Sequence, residues 1–229
     1  MILTQPEAEA LLLSLKVSAV AVTCALPLAV LAAVALANRR FPGKVLIDGV
    51  LHMPLVLPPV VIGYLLLLAF GTRAPAGAWL LSHLGLSFAF SWTGAALASA
   101  LITFPFQVGA IRFAIESIDP GLLQAAETLG AGRLDRLIHL ILPLALPGIA
   151  AGAITAFAAS LGEFGAIITF VSNIPGETRT LPLAIYAALQ SPSGDAEAAR
   201  LSILSILFAI AGLALAEAAN RRARAIAGR

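Results

Sequence analysis

The sequence predicts an all-α polytopic membrane protein, and three observations predict it. Its 229 residues are 60% hydrophobic and only 11% charged, whereas soluble domains carry about 25% charge. The mean hydropathy is +0.98. The apolar residues are also gathered into charge-poor stretches of about 20, the length that crosses a hydrocarbon core of about 30 Å. Helix is the required form, because in lipid every backbone N–H and C=O must be paired within its own segment. The whole chain, 1–229, reads as one transmembrane domain.

Five spans are expected. Val17 to Asn38 carries no charge; Gly49 to Thr72 follows; Phe88 to Ile111 is the best part of a longer stretch from Ala74; Leu144 to Gly162 is the fourth; and Leu201 to Ala219, with Glu217 near its end, is the fifth. Basic residues set the sidedness. Arg39, Arg40, Lys44, Arg112, Arg133, Arg136, Arg221, Arg222, Arg224 and Arg229 fall on one side, and Lys16, Arg73, Arg179 and Arg200 on the other. Ten against four places the N-terminus outside and the C-terminus in the cytoplasm. Ala35-Leu36-Ala37 resembles a signal cleavage site, but a signal's positive end precedes its apolar run. Here Glu7 and Glu9 precede the run and the Arg pair follows it, so the first span is expected to be retained.

Several function classes drop out. A net charge of +2, with two Tyr and two Trp, gives neither the field nor the stacking platform of a nucleic-acid binder. Cys24 is alone, so it forms no internal disulfide and reads as a small packing residue. No Gly-x-x-x-x-Gly-Lys-Ser/Thr loop occurs, so the chain is not expected to hydrolyse ATP. His52, His83 and His139 lie far apart without His-Glu-x-x-His spacing or a carboxylate cluster, which argues against a metal. They read as interfacial or loop residues. No Ser or Cys has a recognisable base, so a membrane-embedded enzyme is disfavoured.

Between the spans, the apolar run Leu181 to Gln190 is bracketed by Pro175-Gly176 and Ser191-Pro192-Ser193-Gly194. Its length suits either a re-entrant piece or an outer loop helix lying on the spans. Pro54-Leu55-Val56-Leu57-Pro58-Pro59, with Gly63 after it, parallels Pro143-Leu144-Ala145-Leu146-Pro147-Gly148, with Gly152 after it. Each proline removes a backbone donor, so the chain is expected to bend at both places. Gly148, Gly152, Ala156 and Ser160 form a row of small residues at every fourth position. Such a row lets two helix backbones approach closely, within the chain or against a second copy.

The loop spanning about 117–143 is built as helix, tight turn, helix. Asp119 is a good N-cap, Pro120 fits the first turn, and Leu122, Ala125, Ala126 and Leu129 share one apolar face. Gly130 supplies a left-handed C-cap. A second helical stretch, Arg133 to Leu142, carries Arg133, Arg136 and His139 and is expected to end at Pro143. The first helix is shaped either to lie in a partner's groove or to pack on its own spans.

Gln124-Ala125-Ala126, then Gly130, then Leu140-Ile141-Leu142-Pro143 resembles the EAA motif of permease subunits of binding-protein-dependent ABC importers. The spacing is fully kept; Gln124 stands where the family usually has Glu, and Leu140 where it has Ile. Leu55 through Tyr64, and Ser160 through Gly165 continuing through Ser172 to Thr180, resemble the molybdate-importing branch. The resemblance implies a type I importer permease in the bacterial inner membrane, forming a pore with a second copy of itself. Two cytoplasmic ABC ATPase subunits would carry ATP and Mg, an external oxyanion-binding protein would deliver the cargo, and this chain would bind no cofactor. In that family the loop docks into a cleft on the ATPase subunit and passes its closure to the spans. That gives the coupling role to Gln124, Ala125, Ala126, Gly130, Leu142 and Pro143. Sulfate or tungstate remain open as cargo, and a stand-alone secondary carrier or channel is the rival from another class.

A divalent oxyanion would pay tens of kcal/mol to enter hydrocarbon unaided, so a polar route is obligatory. Thr155, Ser160, Thr169, Ser172 and Asn173 are candidates to line it, with Arg179 as an outer-mouth attractor. Ser and Thr in spans also bond their own helix carbonyls, which is the plainer reading of each. Glu163 lies about 28 Å along the fourth span from Leu144. It would repel a dianion, so a structural role, paired with Arg179, is expected. Asp48 and Lys16 sit at span ends, and so few ionisable groups weigh against a proton-coupled carrier.

Overall fold

The computed structural model describes residues 3–37 and 42–226, leaving out the side chains at 213, 215–217 and 219–226. Expectations resting on Asn38, Arg39, Arg40 and Arg229, and on the side chains of Glu217, Arg221, Arg222 and Arg224, therefore lie outside the described residues. Helices dominate. α1 is Gln5–Ala37, α2 Lys44–Val56, α3 Pro59–Phe70, α4 Pro75–Leu84, α5 Trp92–Glu116, α6 Pro120–Thr128 and α7 Arg133–Arg136. A π-helical turn, Leu137–Ile141, leads into α8, Leu142–Leu161, followed by α9 Gly165–Val171, α10 Leu181–Leu189 and α11 Asp195–Ile226.

Three helices are long and apolar enough to cross a membrane: α1, α5, and the continuous Arg133–Leu161. The second expected span is not one helix. α2 and α3 meet at 112°, because Pro59 lacks an N–H and Pro58 forces Leu57 into an extended conformation (φ −73°, ψ 141°). Counted together they make a fourth crossing. α11 has the length of a fifth span, but its apolar stretch runs into side chains outside the description. The described residues thus give three or four crossings against the five expected.

α1 starts twelve residues earlier than its charge-free run suggested. Glu7 Oε2 accepts the Thr4 N–H at 2.7 Å, half of a capping box. Its Oε1 accepts two bonds from Arg200 of α11, at 2.8 and 3.1 Å. Only 1% of Glu7 is exposed, so this charge is tolerated because it is paired. Lys16 lies over the Trp92 ring, 3.5 Å from its centroid, and Ser14 Oγ accepts the Leu181 N–H. Cys24, expected to pack, is on the exposed face of α1.

α1 and α5 run side by side in the same direction: Val17 shares one apolar cluster with Ala95, and Leu36 shares a second with Ile111 and Ile115. α8 returns antiparallel to α5. A Cβ on Gly148 would strike Ala114, and one on Gly152 would lie 3.2 Å from Ala110 Cβ and from the Gln107 backbone. The row of small residues therefore works within the chain. Where lipid supplies no hydrophobic drive between helices, this close packing holds them together.

The second proline cluster does not bend the chain as expected, nor does the loop's second helix stop at Pro143. The helix continues because Leu142 N–H bonds to Leu137 O, a five-residue step. That widened turn relieves the crowding between a proline ring and the carbonyl four residues back. α10 lies against α1 and α11 through Leu181, Leu183, Ala184 and Ala188; at about 14 Å it is too short to cross. Gly152→Val should overpack the α5–α8 seam and cost about 1–3 kcal/mol, read as a lower thermal midpoint in detergent than that of the control Gly109→Val, where an added Cβ meets open space.

Candidate functional site

Two places on the continuous Arg133–Leu161 helix collect the residues singled out by sequence. At its start is an elbow. Asp119 Oδ1 accepts the Gly121 N–H at 2.8 Å and starts α6 as an N-cap should. At the far end Gly130 has φ +88°, and two bonds close the helix: Gly130 N–H to Glu127 O and Ala131 N–H to Ala126 O, both 3.0 Å. This is the Schellman pattern, which needs a left-handed residue that glycine supplies without strain.

α6 rests on the bundle through Leu123, which packs against the apolar cluster that holds Ile115 and Ile141. Its other apolar face is left uncovered: Leu122, Gln124 and Ala125 are exposed, Ala126 is half-buried, and Leu129 is 87% exposed. That face does not pack on the chain's own spans. Arg136 donates to both Glu127 oxygens, at 3.0 and 3.5 Å, bracing α6 against α7. Leu142 is half-buried and Pro143 exposed where the π turn becomes α8.

At the other end α8 stops at Gly162, and the chain restarts as α9. Glu163 is 8% exposed, and its Oε1 accepts the Ala166 N–H at 2.8 Å. It caps α9 rather than pairing with Arg179 as expected; among the described residues it has no ion-pair partner. The reason is position: the carboxylate follows the α8 break directly, where α9's first N–H groups have no helical acceptor.

α9 is wedged between α3 and α5. A Cβ on Gly63 of α3 would come within 2.6 Å of Ala166 O and 2.8 Å of Thr169 Cβ; one on Gly165 would come within 2.9 Å of Pro59 Cβ. The two stretches that resemble one importer branch, Leu55–Tyr64 and Ser160–Gly165, are thus packed on each other. Phe164 also stacks near Tyr186 of α10, with ring centroids 5.1 Å apart.

The expected polar route is only partly assembled. Thr169 Oγ1 donates to its own helix at Gly165 O, 2.8 Å, the plainer of its two readings. Ser160 is buried with no partner for its hydroxyl among the described residues. Thr155 is exposed on α8. Ser172 is exposed after α9, and Asn173 and Arg179 are half-buried beside it, with Arg179 Nε donating to Asn173 Oδ1 at 2.9 Å. Arg179 also lines a cavity of about 130 Å³ with Pro6, Glu7, Ser191 and Glu197, so it faces carboxylates as well as open space.

The sequence did not flag three features. Thr178 is fully buried beneath the 172–174 turn; Gln107 is fully buried in the α5–α8 seam with neither amide atom bonded; and Asp48 pairs with Arg112 at 2.9 Å. A polar residue inside a charge-free span was the only available signal, and it applied to Gln107 alone. His52, His83 and His139 are on helices, not in loops. His52 bonds to Asp48 O, His83 stacks on Trp79, and His139 bonds to Asp135. No group of three potential metal ligands occurs among the described residues.

Residues 25–225 match the family described as "Binding-protein-dependent transport system inner membrane component". The chain is 56% identical over 229 residues, all of both proteins, to the "Molybdenum transport system permease protein ModB" of Escherichia coli (strain K12). It is 51% identical over 216 residues, 94% of each chain, to the protein of that name from Haemophilus influenzae. In fold it matches a chain of the "bacterial alginate ABC transporter in complex with alginate pentasaccharide-bound periplasmic protein", with a TM-score of 0.72 and 21% identity over 97% of this chain and 80% of that one. The class defined by this family and these relatives is a membrane transport permease, not an enzyme. The chain belongs to the family of binding-protein-dependent transport system inner membrane components.

Glu163→Leu should remove the α9 cap and cost about 1 kcal/mol, whereas Glu163→Gln keeps an acceptor and should cost less. The comparison is read from thermal midpoints in detergent. Equal losses would contradict a capping role.

Proposed function

We propose that this chain is the membrane-spanning permease subunit of an ATP-driven ABC importer whose cargo is molybdate. The observation that carries the reading is its full-length likeness to relatives named for molybdenum transport. The two stretches that sequence assigned to that branch also meet at Gly63, Gly165 and Ala166.

In this reading the chain works as a homodimer with its N-terminus outside and its C-terminus in the cytoplasm. An external binding protein delivers the oxyanion, and two cytoplasmic ATPase subunits hold ATP and Mg. This chain binds no cofactor. The uncovered face of α6, with Gln124, Ala125 and Ala126, sits in a groove on the ATPase, and the Gly130 turn and Leu142–Pro143 pass the motion into α8. The second copy covers the outward side of α3, where Val60, Tyr64, Leu65 and Leu68 are exposed. Ser172, Asn173 and Arg179 stand at the outer end of the route, with Thr155, Ser160 and Thr169 along it and Glu163 holding its frame. Hydroxyl and amide groups suit such a route: they can offset the desolvation of an anion without binding it so tightly that it cannot leave.

The test is reconstitution. With the ATPase, the binding protein and ATP, vesicles should take up molybdate; the chain alone should not. Uptake by the isolated chain would favour a secondary carrier or channel, and preference for sulfate or tungstate would correct the cargo. Gly130→Val should strain the left-handed turn by about 1–2 kcal/mol. The expected result is an assembled complex that hydrolyses ATP with little uptake, measured as anion imported per ATP consumed.

A further inference from the structure

Ser172 has φ +65° and ψ −167°, a backbone conformation that is essentially restricted to glycine because a Cβ crowds the neighbouring peptides. It is one of two non-glycine residues with positive φ among those described, and it lies at the C-terminus of α9, where the chain turns toward α10.

The turn is held open from below by one side chain. Thr178 is 0% exposed. Its Oγ1 donates to Ser172 O at 3.1 Å and accepts the Ile174 N–H at 2.9 Å. The hydroxyl thus holds the carbonyl of the strained residue from one side and ties it, across Asn173, to the Ile174 N–H. Ile174 O in turn accepts the N–H groups of Glu177, Thr178 and Arg179 at 2.9–3.1 Å. The same turn positions the polar groups above it, where Asn173 Nδ2 donates to Leu183 O at 3.4 Å and Asn173 Oδ1 accepts from Arg179. A strained residue persists only where its surroundings over-determine it. Here Ile168 O holds the Ser172 N–H at 3.2 Å, and the buried Thr178 hydroxyl holds its carbonyl.

We propose that Thr178 is a positioning residue for transport: its hydroxyl clamps Ser172 in the strained conformation and so fixes Asn173 and Arg179 at the end of the route. This rests on the importer reading for what is transported, but the clamp is a property of this chain alone. Without the clamp, Ser172 relaxes to an ordinary conformation, Asn173 leaves Leu183 O of α10, and Arg179 loses its place beside Asn173 at the end of the route.

Two measurements separate the clamp from the function. In detergent, hydrogen exchange followed by mass spectrometry should show segment 172–174 exchanging about tenfold faster in Thr178→Val than in the wild type, with Thr178→Ser close to wild type. Unchanged exchange overturns the clamp. In vesicles with the ATPase and binding protein, Thr178→Val should lower molybdate imported per ATP about tenfold, and Thr178→Ser should restore it. In a Ser172→Gly background, where the turn costs nothing sterically, Thr178→Val should lose less than about twofold. An equal loss in both backgrounds, or faster exchange without any change in import per ATP, overturns the positioning role. Absence of ATP-dependent uptake by the wild type overturns the importer reading and leaves the exchange result to judge the clamp.

Discussion

How closely α8 lies against α5 determines what the rest of the molecule can do. Gly148 and Gly152 let the two backbones meet at Ala110, Ala114 and Gln107: a Cβ on Gly148 would strike Ala114, and one on Gly152 would be tight at 3.2 Å. In lipid, where burying apolar area gains nothing between helices, such contact is the main attraction available. It also fixes one continuous helix, Arg133–Leu161, with the α6–α7 elbow at one end and the Glu163 break at the other. What reaches the elbow therefore has one unbroken path toward α9, through this rod and the seam that guides it. In the proposed importer that path carries the work of the ATPase.

The few charges in the bundle follow the same economy. Glu7 is paired with Arg200, and Asp48 with Arg112, which also meets Glu116. Each of the first two links joins helices far apart in sequence. Leaving such a group unpaired would cost several kcal/mol, so the pairing fixes where α1 meets α11 and where α2 meets α5. Glu163 instead uses its carboxyl to cap the helix terminus of α9.

Much of this was legible because the deciding signals are local. Asp119, Pro120 and Gly130 set the bounds of α6 by their own backbone chemistry, and the four-residue spacing of Gly148 and Gly152 named a packed seam before its partner was known. Two misreadings share a cause. Glu7 was read only as an acidic residue ahead of the first apolar run, and Arg200, 193 residues away, gives it its place in the bundle. Pro143 looked like a stop until a π turn absorbed it. Both depend on accommodation by groups that no local pattern displays. The bend expected at the first proline cluster is there, whereas hydropathy alone misled: it sees one apolar run, and the backbone geometry of Pro58 and Pro59 splits it at 112°. Thr178 was unreadable for the same reason as Glu7, because its importance comes from the strain of a residue six positions back.

The claim on which the account rests is that Arg133–Leu161 moves as one rigid lever. Spin labels at Leu134→Cys and Gly162→Cys, in a Cys24→Ser background, lie about 42 Å apart along the helix. A third label at Val45→Cys, on the exposed side of α2, reports movement between α8 and the rest. In the assembled complex, adding ATP should leave the 134–162 distance within about 2 Å of its starting value, while the 45–162 distance changes by more than that. A 134–162 distance that changes by about 5 Å or more on ATP binding would mean that the helix bends at the π turn or at Pro147, and would contradict the account.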